Sequence, residues 1–191
     1  MKKIFFDIET SNLFSDVGSN DPAALNLSVL CLYDYSRDVY ESYLQEDLPK
    51  LWPLLESADM LIGYNSDHFD IPLLNKYYSG DLTKIKSLDI LKEIKTSYGR
   101  RMKLDQIAEG TLGSHKSANG LEATRWWSEG KRDMVIEYCI QDVKITKEVY
   151  EYAVANQKLI FKEDGKLITI PLNTSKWENV EESIITHTLP F

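Results

Sequence analysis

The feature that most constrains the fold is an apolar run near the N-terminus that ends in two acidic residues. Residues 4–6 (Ile-Phe-Phe) are followed by Asp7, Ile8 and Glu9. The run predicts a buried strand, and residues two apart on a strand point to the same face. Two carboxylates held together in a buried place repel each other unless a cation lies between them. The pair therefore indicates a divalent metal site, the alternative being a surface strand with two solvated acids.

The composition is typical of one soluble globular domain. The chain has 191 residues, of which 43% are hydrophobic and 27% charged, enough for a sizeable core. Cys31 and Cys139 lie far apart and show no ligand-like spacing, which predicts reduced thiols rather than a disulfide or zinc site. There is no apolar run of the length of a signal peptide or a membrane span. We therefore expect a cytoplasmic protein with no membrane partner.

The hydrophobic pattern predicts an α/β fold with a central mixed sheet flanked by helices. After the opening strand and a loop over 11–26, the pattern gives strands at 27–33, 39–44 and 60–64, an extended segment at 87–92, and helices at 46–57, 69–78, 104–109, 120–128 and 133–156. An Asp164-Gly165 pair predicts a C-terminal β-hairpin. We expect a catalytic domain over 1–157, with the hairpin and tail of 158–191 packed on the same domain.

Two further acids lie where such a sheet would place ligands. Asp70 follows a predicted central strand at the start of a helix, and ligand sites in α/β folds collect at strand ends. The alternative is a first-turn acid that interacts with the helix dipole, and Asp67 is the expected N-cap. Tyr138 and Asp142 are four residues apart on the long helix and therefore share one of its faces. The alternative there is a surface aspartate beside a core tyrosine.

Together these patterns resemble the DEDD superfamily of 3′–5′ exonucleases, in its tyrosine-bearing DEDDy subgroup. The first motif is Asp-x-Glu-Thr at 7–10, the second joins Asn65 through an aromatic residue to Asp70, and the third is Tyr138-x3-Asp142. The chain is also similar to predicted exonucleases related to family B polymerase proofreading domains, with Trp126-Trp127 and residues 137–139 adding to the likeness. Many relatives carry glycine where this chain has Asn12. The resemblance spans 7–142 and ends before Leu159.

The resemblance implies a ribonuclease H-like fold that binds two divalent cations, Mg²⁺ or Mn²⁺. Asp7 would bridge them, Glu9 and Asp142 would complete the water-activating site, and Asp70 would hold the other cation through water. The Tyr138 hydroxyl would orient the attacking water. The resemblance also implies that Thr10 and Leu13 hold the last nucleotide, with Leu13 against its base and Asn65 as a further candidate. An ordinary core-packing role for Leu13 stays open.

A basic segment permits a polyanionic partner although the formal net charge of the chain is −8. Residues 84–132 hold eleven basic and six acidic residues. Its densest cluster, Arg100, Arg101 and Lys103, is predicted to contact phosphates upstream of the cut, although such a run can also be a solvated face. Tyr98, Trp126 and Trp127 could stack on bases, but tryptophans on helices belong more often to the core. His68 and His115 are expected to be structural or surface residues.

The sequence thus predicts a metal-dependent 3′–5′ exonuclease that acts on single-stranded nucleic-acid 3′ ends, with DNA favoured. The first alternative is an exoribonuclease or a ribonuclease H-like endonuclease. The second is a catalytically quiet nucleic-acid-binding module, which the intact acidic quartet argues against. The choice between DNA and RNA rests on one or two contacts to the 2′-OH, and the sequence identifies no polymerase or helicase partner.

Overall fold

A five-stranded mixed sheet forms the centre of the protein, whose computed structural model describes residues 1–113 and 120–179. The strands lie in the order β3-β2-β1-β4-β5, with bounds β1 (Lys3–Thr10), β2 (Leu27–Asp34), β3 (Val39–Leu44), β4 (Met60–Gly63) and β5 (Ser87–Asp89). The first three strands form an antiparallel meander, while β4 runs parallel to β1 and β5 runs parallel to β4. The predicted mixed sheet is confirmed.

Helices cover both faces of this sheet. They are α1 (Phe14–Val17), α2 (Leu48–Glu56), α3 (Asp70–Asn75), α4 (Ile90–Tyr98), α5 (Leu104–Leu112), α6 (Gly120–Ser128) and α7 (Arg132–Asn156). Short 3₁₀ turns occupy residues 22–24, 45–47, 82–84 and 174–176. Across the two described ranges, no helix combines the length and the apolar character that a membrane crossing needs.

The alternation of β1 divides the core into two layers. Phe5 packs in a cluster that includes residues of α4, α5 and α7. Ile4, Phe6 and Ile8 pack in the second cluster, with residues of α2 and α3. Since Asp7 and Glu9 share the parity of Phe5, their side chains lie on the face that α7 covers.

The C-terminal half of β1 extends beyond its parallel neighbour. Only Lys3–Phe5 pair with β4, whereas β1 continues to Thr10. Helix α3 follows β4 and lies beside this extension, where the Asp70 carboxylate accepts a hydrogen bond from the Ile8 N–H at 3.2 Å. A buried backbone donor needs a partner, and here an acidic side chain replaces a neighbouring strand.

Asp89 ends the last strand of the sheet earlier than the sequence predicts. The extended segment expected over 87–92 stops at Asp89, whose side chain accepts hydrogen bonds from the N–H groups of Leu91 and Lys92. That N-cap starts α4 at Ile90, a helix that the apolar pattern did not reveal. A side-chain cap satisfies N–H groups that a helix start leaves without intrahelical partners.

The expected N-cap role of Asp67 is wrong. Its carboxylate accepts hydrogen bonds from the Ser87 hydroxyl at 2.6 Å and from the Lys92 ammonium at 2.7 Å. The N-cap position of α3 is Phe69, which makes no side-chain cap bond. Helix α3 covers Asp70–Asn75 and is shorter than the predicted 69–78. The predicted loop over 11–26 contains α1 and a 3₁₀ turn.

The predicted C-terminal hairpin is confirmed. Strands β6 (Lys158–Glu163) and β7 (Lys166–Pro171) turn at Asp164-Gly165, and both turn residues have positive φ. The hairpin packs on α5, where the Thr111 hydroxyl donates a hydrogen bond to the Ile160 carbonyl oxygen and accepts one from the Ile160 N–H. At Gly110 an added Cβ would lie 2.5 Å from the Ile160 carbonyl oxygen, so this contact requires glycine. Residues 180–191 of the predicted tail lie outside the described residues.

Candidate active site

Three carboxylates meet where α7 crosses the C-terminal half of β1. Asp7 and Glu9 come from β1 and Asp142 from α7, and one carboxylate oxygen of each lies within 4.8 Å of the others. Glu9 and Asp142 are buried and Asp7 is partly buried. Carboxylate oxygens are the ligands that hard cations such as Mg²⁺ and Mn²⁺ prefer. These residues therefore fit a divalent metal site.

Asp70 lies near this cluster but is not a member of it. Its carboxylate accepts a hydrogen bond from the N–H of Ile8, the residue between Asp7 and Glu9 on β1. Asp70 itself is buried. Burial raises the pKa of Asp70 to about 8, and the nearby Asp89 adds to this rise. The structure thus brings the fourth predicted acid to the backbone of β1, in a place that favours its neutral form when no cation is bound.

Tyr138 lies one helical turn before Asp142 and is buried, and its ring makes a T-shaped contact with Trp126 at a centroid distance of 6.2 Å. Burial raises the pKa of Tyr138 far above its ordinary value, and the charges of Asp142, Glu9 and Asp7 raise it further. The phenol therefore stays protonated at neutral pH and keeps a hydroxyl that can donate a hydrogen bond.

Cys139 is a member of the site that sequence reasoning missed. Its sulfur lies 3.3 Å from the Asp7 carbonyl oxygen and 3.7 Å from the Asp7 Oδ2. The side chain is fully buried, and burial raises the pKa of its thiol well above the ordinary value. The sequence signal was its position between Tyr138 and Asp142, since residues three apart on a helix are neighbours.

A cavity of about 590 Å³ opens beside Glu9 and is termed the β1 cavity. Thr10 and Leu13, both predicted to bind substrate, line it. Further lining residues that the sequence did not indicate as substrate-binding are Phe14, Phe69, Leu121 and Thr124. The cavity therefore joins a carboxylate of the cluster to walls that are largely apolar.

A second cavity of about 550 Å³, termed the α5 cavity, is lined by Tyr138 together with Tyr64, Asn65, Arg101 and Lys103. Asn65 has a φ of 68°, and its side-chain oxygen accepts a hydrogen bond from Arg101 at 2.6 Å. Its own N–H donates to Asp89 at 2.8 Å, which holds this unusual backbone conformation. Lys103 lines both cavities, so the two adjoin.

Arg100 does not join the other two residues of the predicted basic cluster. Its guanidinium pairs with Glu163 on β6 and lies 5.6 Å from the centre of the Phe161 ring. Arg100 lines neither cavity, whereas Arg101 and Lys103 line the α5 cavity. A role for Arg100 in phosphate binding stays a prediction without support from its position.

The other aromatic and histidine candidates lie away from the three carboxylates or serve as packing. Tyr98, Trp126 and Trp127 are partly buried against the core cluster that contains Phe5, and Arg132 lies over the Trp127 ring at 3.2 Å. His68 is exposed. His115 lies outside the described residues.

Comparisons with known proteins agree with this architecture. The family model of the RNase_H superfamily matches residues 4–154, a range that contains all the acids of the site. No curated protein matches the chain. Among solved structures, the chain is similar to the family B DNA polymerase from the hyperthermophilic archaeon Pyrobaculum calidifontis, with a TM-score of 0.63 and 17% identity.

The polymerase match covers 81% of this chain but only 24% of the polymerase chain. At this identity the likeness shows the fold alone. RNase H-like nucleases use divalent metals, which agrees with the cluster of Asp7, Glu9 and Asp142. Membership of the DEDDy subgroup stays a prediction. Since the family model spans most of the chain, and the sheet, the helices and the acidic cluster agree with it, the chain belongs to the RNase H superfamily.

Proposed function

We propose that this protein is a 3′–5′ exonuclease that hydrolyses phosphodiester bonds at the 3′ ends of single-stranded nucleic acid. The observation that carries the proposal is the cluster of Asp7, Glu9 and Asp142 beside Tyr138, with two cavities adjoining it. The RNase H-like nuclease fold is consistent with this chemistry. The likeness to a DNA polymerase supports DNA as the favoured substrate.

The acidic residues would hold two divalent cations, Mg²⁺ or Mn²⁺. Asp7 would contact both, and Glu9 and Asp142 would complete one of the two sites. Asp70 would act on the other through water, which its separation from the three-carboxylate cluster supports. When bound, the cations supply stabilisation of the attacking and leaving oxygens of an in-line displacement.

Tyr138 would hold the attacking water in line with the scissile phosphate. Because its pKa is raised far above neutrality, the phenol acts as a hydrogen-bond donor and not as a base. Its position one turn before Asp142 places ring and carboxylate on the same side of α7. A donor of this kind contributes through orientation, which makes its loss visible in rate more than in metal affinity.

The two cavities suit successive nucleotides of a single strand. Both volumes fall within the ~300–1,000 Å³ of ordinary ligand pockets. We assign the terminal nucleotide to the β1 cavity, with Thr10 near the sugar and Leu13 against the base. The phosphates before it would pass through the α5 cavity, where Arg101 and Lys103 supply positive charge and Asn65 an amide.

The hairpin would belong to the same domain as the catalytic residues. Leu159, Phe161 and Ile170 are buried in the core cluster that also contains Phe5. Lys162 on β6 pairs with Glu109 on α5 at 2.8 Å. These contacts support a single domain in which residues 158–179 cover α5, rather than a separate module.

Digestion of matched DNA and RNA oligonucleotides tests the function. With Mn²⁺ or Mg²⁺, 5′-labelled DNA should give a ladder of shortening products, and 3′-labelled DNA should release mononucleotide first. Asp7→Asn should abolish digestion, while Asp133→Asn, which neutralises an exposed acid on the first turn of α7, should leave it intact. Digestion of RNA alone would identify an exoribonuclease, and internal cuts an endonuclease. Binding of the oligonucleotides without metal-dependent hydrolysis would identify a nucleic-acid-binding module that has no catalytic activity.

A further inference from the structure

We infer that Cys139 is a positioning residue that sets the Asp7 carboxylate relative to Asp142. The inference rests on the proposed function, because it assigns a role within that metal site. It concerns a residue that contacts Asp7 and lines neither cavity.

Cys139 contacts Asp7 at two atoms. Its sulfur lies 3.3 Å from the carbonyl oxygen and 3.7 Å from the carboxylate Oδ2 of that residue. A thiol carries one weak S–H donor, which at these distances can be shared between the two oxygens. The thiol therefore couples the backbone of β1 at Asp7 to the orientation of the Asp7 side chain.

The position of Cys139 on α7 gives this contact its importance. Asp7 and Asp142 lie on different elements, so their separation depends on how closely α7 approaches β1. Cys139 is three residues before Asp142 and thus lies on the same side of the helix. A small side chain that donates to Asp7 sets both the approach of α7 and the direction of the carboxylate. Residues that orient metal ligands in this way tune metal affinity.

The simpler interpretation is that Cys139 only fills space in the core. Cys31 allows the two interpretations to be separated, because it lies opposite Asp7 on β2 and is equally buried. Its sulfur approaches the carbonyl oxygen of Ile136 at 3.7 Å and also interacts with the Cys139 thiol, so Cys31 neighbours the same thiol from the β2 side. Removing either sulfur empties the same volume in the same region, but only the Cys139 change removes a contact to the Asp7 carboxylate.

The test uses the full chain and measures Mn²⁺ binding by calorimetry, the free energy of unfolding, and kcat and KM on a DNA oligonucleotide. Cys139→Ala and Cys139→Val remove the donor, Cys139→Ser keeps one, and Cys31→Ala is the matched control. The donor-free variants should bind Mn²⁺ about 10-fold more weakly. Loss of a residue that hydrogen-bonds a metal ligand lowers metal affinity by about 10–100-fold, and we expect the lower value because a thiol is a weak donor. Their kcat should fall with KM nearly unchanged. Cys139→Ser and Cys31→Ala should keep Mn²⁺ affinity within about 3-fold of wild type.

Equal Mn²⁺ affinity in Cys139→Ala and Cys31→Ala, with equal losses of stability, would overturn the inference and leave the proposed function intact. If Cys139→Ala does not fold, Cys139→Val makes the same comparison with the volume filled. Wild-type protein that digests no oligonucleotide, but whose Mn²⁺ affinity depends on Cys139, would overturn the proposed function and support the inference. Wild-type protein that binds no Mn²⁺ would overturn both.

Discussion

Replacing Asp142 by asparagine should make the metal-free protein more stable and its response to metal weaker. Asp142 shares a site with Asp7 and Glu9, with one carboxylate oxygen of each within 4.8 Å of the others. Two unit charges at 4.8 Å repel by about 3 kcal/mol at an effective dielectric constant of about 20. Solvent screening at the partly buried Asp7 lowers that figure, so we expect the variant to gain about 1–3 kcal/mol without metal.

Metal should reduce the advantage of the variant by about 2.3 kcal/mol, and it reverses the order of the two proteins where the gain without metal is smaller than that. At a Mn²⁺ concentration of 100 times the wild-type Kd, binding stabilises the wild type by about 2.7 kcal/mol. If losing one ligand raises Kd about 100-fold, the same concentration stabilises Asp142→Asn by only about 0.4 kcal/mol. For a chain of this size these values correspond to shifts in Tm of about 5–11 °C and about 1–2 °C.

Thermal unfolding followed by circular dichroism over a Mn²⁺ series measures both effects. Asp133→Asn serves as the control, because it removes a charge from an exposed position of the same helix and should respond to Mn²⁺ as the wild type does. The reasoning is refuted if Asp142→Asn gains as much Tm from Mn²⁺ as the wild type. A metal-free Asp142→Asn that is less stable than the wild type would refute the repulsion argument alone.

Three further perturbations test other parts of the site and fold. Tyr138→Phe should lower kcat by about 10²-fold or more with Mn²⁺ affinity unchanged, because only an orienting hydroxyl is lost. Equal losses in the single-turnover rate and in the Mn²⁺ affinity measured by calorimetry would show that the tyrosine has only a structural role. The double variant Arg101→Ala, Lys103→Ala should raise KM. It should also reduce the slope of the log of the oligonucleotide-binding constant against the log of the salt concentration by about 1.4, at about 0.7 for each phosphate contact. Arg100→Ala should leave that slope unchanged, since its guanidinium pairs with Glu163. Burial alone would raise the pKa of Asp34, but hydrogen bonds from Ser36 and Arg37 outweigh it and lower the pKa to about 2. Because the folded-state pKa lies below the unfolded value, this group stabilises the fold above about pH 4 and loses about 2 kcal/mol as pH falls toward 2. Urea unfolding between pH 5 and 2.5 should therefore show that the free energy of unfolding falls less steeply with pH in Asp34→Asn than in the wild type. Equal slopes in the two proteins would contradict the assignment.

Features that depend on backbone periodicity could be predicted from the sequence. The two-residue repeat of a strand places Asp7 and Glu9 on one face, whatever that face packs against. The 3.6-residue repeat of a helix does the same for Tyr138 and Asp142. The Asp164-Gly165 turn was predictable for a similar reason, because few residues adopt positive φ at low cost.

Other features depend on distances between elements, which no local pattern contains. The crossing of α7 over β1 brings Asp142 to within 4.8 Å of the acids of β1 and the Cys139 sulfur to 3.3 Å from the Asp7 carbonyl. Asp70 bonds the Ile8 N–H because β4 ends before β1 does, and that difference appears only in the register of the sheet. Adjacent Arg100 and Arg101 look alike in sequence, yet the hairpin binds one through Glu163 and leaves the other lining the α5 cavity. Each of these outcomes is decided by packing between residues far apart in the chain, where burial and geometry select one partner among many.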